Sequence, residues 1–145
     1  MVSTSVIVGR KRARHLLLQS LYQWLMSDVA MSEIEAQFTA LNNMNKVDVE
    51  YYRKVLYGVP RRLIEIEQAI TEFLDRPIES LSPIELTVLR IACFELLECL
   101  EVPYRVILDE AVTLSRLYGA QDGHRYVNGV LHNLAKKIRI YENKN

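Results

Sequence analysis

The sequence predicts an all-α fold, a single compact bundle of about seven helices, and three observations predict it. No segment sustains the period-two alternation that a half-buried strand requires. Apolar residues instead recur at three- and four-residue spacings, as in Ala13, Leu17, Leu21 and Trp24. Helix punctuation recurs at short intervals, most plainly at Ser82-Pro83-Ile84-Glu85, where serine caps, proline takes the first turn and glutamate completes a capping box. The 145 residues, half of them hydrophobic and a quarter charged, suit one globular domain. A chain of this length buries roughly 70% of its unfolded surface and needs no disulfide or metal to hold it. Residues 1–9 are expected to be a flexible tail ended by Gly9, and residues 10–145 the helical domain.

The elements follow in order. The first helix is expected from about Arg10 to Ser27, with the core stripe above on one side and Lys11, Arg14, His15, Leu18 and Tyr22 on another. Ser32 is a plausible cap for a second helix to Leu41, and residues 42–45 read as a loop. Asp48 caps a third helix carrying Tyr52, Val55, Leu56 and Val59. Pro60 fits the first turn of a fourth helix, which carries Leu63, Ile66, Ile70 and Phe73 and stops near Arg76-Pro77. The fifth, from Ser82 to about Leu100, is apolar almost all round and is expected at the centre of the domain. Pro103 opens a sixth with Ile107, Ala111, Leu114 and Leu117 on one face, stopped by Gly119 as a left-handed residue. Asp122 then caps the seventh, which turns Val127, Val130, Leu131, Leu134 and Ile138 inward.

Several classes of function find no support. Cys93 and Cys99 lie six residues apart on one helix, about 9 Å along its axis, too far to bridge. They read as free, buried thiols of a reducing cytoplasm. No run of about 18 apolar residues exists to span a membrane, and Val6-Ile7-Val8 precedes the basic run, the wrong order for a secretory signal. There is no HExxH, no paired-cysteine metal spacing and no glycine-rich loop before a lysine. His124 and His132 are eight apart and lack a third ligand for zinc. Asp122 beside His124 reads more simply as a helix cap than as an acid-base pair. No catalytic residue, metal or cofactor is expected.

Charge placement points to a polyanion. Lysine and arginine total 18, as do aspartate and glutamate, so the net charge is zero. Yet Arg10, Lys11, Arg12 and Arg14 crowd the start of the first helix, where positive charge opposes the helix dipole. A phosphate backbone offsets that cost, and arginine forks onto phosphate oxygens with two hydrogen bonds. Phosphate contacts carry no sequence preference. Recognition of single-stranded RNA also needs stacking surfaces and groups that reach base edges. The segment 118–126 supplies them: rings at Tyr118 and Tyr126, an acceptor at Asp122, and close backbone approach at Gly119 and Gly123.

These same residues carry a resemblance. The chain is similar, over nearly its whole length, to the NusB family of bacterial transcription antitermination factors. The matching segments are RKRAR (10–14), LYQW (21–24), VDVEYYRKVLYGV (47–59), SPIELTVLRIACFELL (82–97) and VPYRVILDEAVTLSRLYGAQDGHRYVNGVL (102–131). The resemblance implies an all-helical, non-catalytic, cytoplasmic protein. It implies binding of the boxA element of nascent ribosomal RNA together with ribosomal protein S10 (NusE), and delivery to RNA polymerase with other Nus factors. By position it assigns Arg10, Lys11, Arg12 and Arg14 to the RNA backbone, and Tyr118, Gly119, Asp122 and Tyr126 to an RNA-contacting junction. Phe73 falls at an aromatic site that also touches RNA, and Tyr22, Glu85 and Arg90 at the S10-facing or RNA-flanking surface. The chain departs from the family pattern in having tyrosine for phenylalanine at 118 and 126, Gln121 for glutamate, Gly123 for serine and Leu86 for lysine. Two rival readings are a homodimeric interaction module that hides the RNA face, and a helical module of the kind fused to ribosomal RNA cytosine methyltransferases.

Overall fold

The structure is a computed structural model and describes residues 3–142. It contains seven α-helices: α1 (Thr4–Met26), α2 (Met31–Leu41), α3 (Val49–Arg61), α4 (Leu63–Thr71), α5 (Pro83–Glu98), α6 (Tyr104–Tyr118) and α7 (Gly123–Ile138). Single 3₁₀ turns lie at Met44–Lys46 and Ile78–Ser80, and no strand occurs among the described residues. The all-α expectation holds.

The bundle is organised around α5. Every residue from Thr87 to Leu96 is buried, and α1, α3, α4, α6 and α7 all pack on this helix. A helix apolar on all sides can only be stable when surrounded. Its start is fixed as expected: Ser82 Oγ accepts from the Glu85 N–H at 3.1 Å and donates to the Glu85 carboxylate at 3.2 Å. Its end is held by a residue that periodicity does not reveal. The buried Arg139 guanidinium donates to the carbonyls of Glu95, Leu96, Cys99 and Val102 at 2.8–3.2 Å. These include carbonyls that the end of a helix leaves without partners, and the cation faces the negative end of the dipole.

Four boundaries differ from those the sequence predicts. Helix α1 starts at Thr4, capped by Ser3 Oγ, so Gly9 is not the end of a tail but a buried residue inside the helix. Its carbonyl accepts from the Asp48 N–H at 3.1 Å, and a Cβ on Gly9 would lie 3.2 Å from that nitrogen. Close approach of the chain before α3 therefore outweighs the roughly 1 kcal/mol helix penalty of glycine. Helix α2 starts one residue before Ser32, with Ala30 in the cap position and fully buried Ile34 anchoring it. Pro60 sits in the last turn of α3 instead of opening α4. Its missing N–H and its ring weaken the preceding turn, and helical geometry fails at Arg62 (φ −110°, ψ 24°). Helix α4 ends at Thr71 rather than near Arg76, because residues 72–76 turn away to meet α7. Asp48 caps α3 as expected, accepting from the Tyr51 N–H at 3.0 Å.

Cys93 and Cys99 are both buried free thiols, and burial pushes the Cys93 thiol up to about 12. No described helix is long and apolar enough to cross a membrane.

Candidate nucleic-acid interface

The basic run is not one patch. Successive helix residues step by about 100° around the axis, so Arg10 and Arg14, four apart, share one face over the Tyr51 ring, while Lys11 and Arg12 point elsewhere. Arg14 points inward. It is 3% exposed, and its Nε and Nη2 grip the Glu95 carboxylate at 3.0 and 2.9 Å. The Tyr51 hydroxyl donates to the same carboxylate. The expectation that Arg14 grips RNA is therefore corrected. Its neighbours at three and four residues, Leu17 and Leu18, are core residues, and Glu95, buried in the last turn of α5, requires a buried cation. Burial alone would lower the Arg14 pKa, but the Glu95 charge and hydrogen bonds more than reverse it. Desolvation and the Glu95 charge push the Tyr51 hydroxyl well above its ordinary value.

The other three cations are graded. Arg10 is partly buried. It lies over the Tyr51 ring at 5.1 Å and faces Asp48 at 3.8 Å and Glu101 at 3.6 Å. Lys11 is exposed and reaches Glu110 on α6 at 3.4 Å. Arg12 is exposed and forms no ion pair among the described residues.

Below Lys11, one stripe of α1 continues through His15, Gln19 and Tyr22, at helical spacings of four, four and three. It runs against the end of α6. His15 Nδ1 lies 3.0 Å from the Tyr118 hydroxyl, which also accepts from Gln19 Nε2 at 3.5 Å. The two rings meet edge to face, 5.7 Å apart. Tyr22 and Tyr118 line one apolar groove with Leu18, Met26 and Ile84. The structure thus brings Lys11, Tyr22 and Tyr118 onto one continuous face.

The α6–α7 junction is built differently from its prediction. Gly119 is not left-handed (φ −94°, ψ −179°). Glycine is required there because a Cβ would meet the Ser115 carbonyl oxygen at 2.7 Å and a methyl of Ile84 at 3.5 Å. The left-handed residue is Asp122 (φ 73°), the only non-glycine with positive φ among the described residues. Its side chain makes no cap bond to α7 and lies exposed, 4.0 Å from Arg125. Aspartate tolerates this conformation better than most residues, and such strain concentrates at functional positions.

Tyr126 is clasped. Its hydroxyl donates to Asp75 Oδ1 at 3.0 Å and accepts from the Asp75 N–H at 3.4 Å. The Arg76 guanidinium, paired with Asp75 at 2.8 Å, covers the ring at 4.2 Å. The bonds from Arg76 and Tyr126 hold the Asp75 carboxyl below its usual range. One face of the predicted stacking ring is thus already occupied by a cation. Phe73 lies two residues before this clasp, half-buried against the core. Nothing in the local sequence marks Asp75 or Arg76 as site residues, and only their contacts with Tyr126 do so; helical spacing puts His15 beside the basic run, but its bond to Tyr118 is visible only in the fold.

The remaining predicted positions divide. Glu85 sits at the start of α5, beside Gly123, where an added Cβ would lie 3.7 Å from its carboxyl carbon. It therefore borders the junction. Arg90 does not reach an open surface. It is 8% exposed and donates to Glu67 of α4 at 2.8 Å. The packing of α4 onto α5 covers it, which corrects its placement on a partner-facing surface. Among the described residues no three histidine, cysteine, aspartate or glutamate side chains converge as a metal site would require.

Comparison with known proteins assigns this arrangement to a family. The NusB family model matches residues 11–136. A transcription antitermination protein NusB from Legionella pneumophila is 57% identical over 136 residues, covering 94% of this chain and 92% of the relative. Another from Pseudomonas entomophila is 46% identical, covering 92% and 80%. The solved structure of T. maritima NusB superposes with a TM-score of 0.79 at 25% identity, covering 94% of each chain. The crystal structure of antitermination factors NusB and NusE in complex with dsRNA gives a TM-score of 0.77 at 24% identity, covering 88% of this chain and 96% of that one. The chain belongs to the NusB family, a non-catalytic family of transcription antitermination factors.

Proposed function

We propose that this protein binds the boxA element of nascent ribosomal RNA together with ribosomal protein S10 (NusE), and joins RNA polymerase with other Nus factors in the cytoplasm. The observation that carries the reading is the continuous face from Lys11 through His15 to Tyr118, which joins the basic start of α1 to the α6–α7 junction. Cations on that face take phosphates, and the exposed Tyr118 ring and Asp122 carboxylate take bases. The family's solved complex with NusE and dsRNA supports both partners. Arg12 and Lys11 are the primary phosphate contacts, Arg10 a secondary one, and Gly119 lets the strand approach the backbone. Tyr126 and Phe73 border the RNA path, with Arg76 lying over the Tyr126 ring. Tyr22 and Glu85 flank the same path, where S10 and RNA would meet.

The test is a titration with a boxA-containing strand and a scrambled strand, with and without S10. Tighter binding of boxA, strengthened further by S10, is expected. Equal, weak binding of both strands, indifferent to S10, would remove the proposal and leave a helical bundle with a basic edge.

A further inference from the structure

Among the described residues, His15 joins the two halves of the candidate interface through a titratable ring. It lies one turn below Lys11 on α1 and bonds to Tyr118 at the end of α6. The Tyr118 oxygen already accepts from Gln19 Nε2. In the neutral ring's Nε2–H tautomer the Tyr118 hydrogen points at His15 Nδ1 while the Tyr118 oxygen keeps the bond from Gln19. Nε2 has no hydrogen-bond partner among the described residues. The charged groups facing the ring are Lys11 on its own helix and Glu110 on α6. The Glu110 carboxylate also engages Lys11 at 3.4 Å.

We infer that His15 is an RNA-positioning residue whose protonation is coupled to RNA binding, its imidazolium orienting Tyr118 while Nε2–H faces a phosphate. The inference rests on the RNA reading above. When Nδ1 takes a proton from solvent it becomes a donor. The Tyr118 oxygen then accepts from it, and the phenol hydrogen turns away from the imidazole toward whatever lies over the ring. A hydroxyl that donates inward in the free protein thus donates outward in the complex. Without RNA the ring favours its neutral form: burial lowers the His15 pKa and Lys11 lowers it further, with Glu110 opposing them. A phosphate beside Nε2 reverses that balance, because an adjacent anion favours the charged form.

The sign follows from linkage. The bound state holds the proton more tightly than the free state, so affinity rises as pH falls through the interval between the two pKa values. Each unit by which RNA raises the His15 pKa is worth about tenfold in affinity below that interval. The experiment titrates the whole protein with a boxA-containing strand at pH 6 and pH 8, beside His15→Gln, which keeps a polar side chain but cannot titrate. Thermal melts check that the variant is folded. The expected result is binding several-fold tighter at pH 6 for the wild type, with most of that gain lost in the variant. Equal pH dependence in both proteins, or none in the wild type, overturns the coupling while leaving RNA binding intact. Absence of boxA binding at either pH fails the RNA reading itself, a separate and visible outcome. Imidazole NMR gives a second readout, since the His15 pKa must move upward on adding RNA. A fixed His15 pKa with RNA bound refutes the inference even if His15→Gln unfolds.

Discussion

Arg14 and Arg12 stand two residues apart in one run of like charge, yet they belong to different parts of the molecule. Arg14 is sealed in the core against Glu95 and Tyr51. Arg12 is in solvent. The contrast separates a charge that the fold consumes from one that it leaves for a ligand. A buried pair has already lost its water and is held by its partner, whereas an exposed cation keeps its field for whatever polyanion approaches.

The largest effect is expected from breaking the inner side. Glu95→Ala leaves the Arg14 guanidinium buried without its counter-ion, and chemical denaturation should show a loss of about 3–5 kcal/mol. Arg14→Ala should cost a similar amount by stranding the carboxylate. Replacing the pair together with Met and Leu should recover most of the loss, because well-packed apolar residues replace a buried pair at little cost. If Arg14→Ala melts like the wild type but loses RNA, Arg14 is a ligand residue after all and the contrast collapses.

The outer side should behave in the opposite way. Lys11→Ala with Arg12→Ala removes two exposed cations, so stability should stay within about 0.5 kcal/mol. The salt dependence of RNA binding should flatten by about 0.7–0.9 in slope for each phosphate that is no longer neutralised. Lys11 is expected to contribute less than Arg12, because Glu110 already offsets its charge. An unchanged slope would mean that the start of α1 faces something other than RNA. Pairing Arg12 with Arg14 in one variant would mix unfolding with binding and decide nothing.

The same contrast shows what the sequence can disclose. Helices α3 and α5 are legible because their starts are written locally, in Asp48 and in Ser82-Pro83. The central place of α5 follows from its lack of a polar face. The fate of Arg14 depends on Glu95, 81 residues away, and no local pattern records such a pairing. Only the presence of Glu95 within the apolar run of α5 hints at it. Arg90 is hidden in the same way by Glu67 of a neighbouring helix. At the junction the residues are legible but their conformations are exchanged. Gly119 suggests a left-handed stop, yet contact with the Ser115 carbonyl and Ile84 demands glycine there, and the positive φ falls on Asp122. The approach of Gly119 to the Ser115 carbonyl, four residues earlier in α6, decides this, and the residue types of the turn do not record it.

Asp122 gives the finest test of the outer surface. The carboxylate caps nothing and its nearest cation is 4.0 Å away in solvent, so it has little structural work. Asn tolerates the left-handed region as well as Asp and keeps one side-chain acceptor. Asp122→Asn should therefore unfold within about 0.5 kcal/mol of the wild type. If Asp122 accepts from a base amino group, losing the charge weakens a charge-assisted bond. Affinity for boxA should then fall modestly, while affinity for a scrambled strand stays level or rises slightly as repulsion from phosphate is relieved. A variant that binds both strands more tightly would show that the Asp122 charge only repels the backbone, and base selection would then have to come from Tyr118 and the groove beneath it.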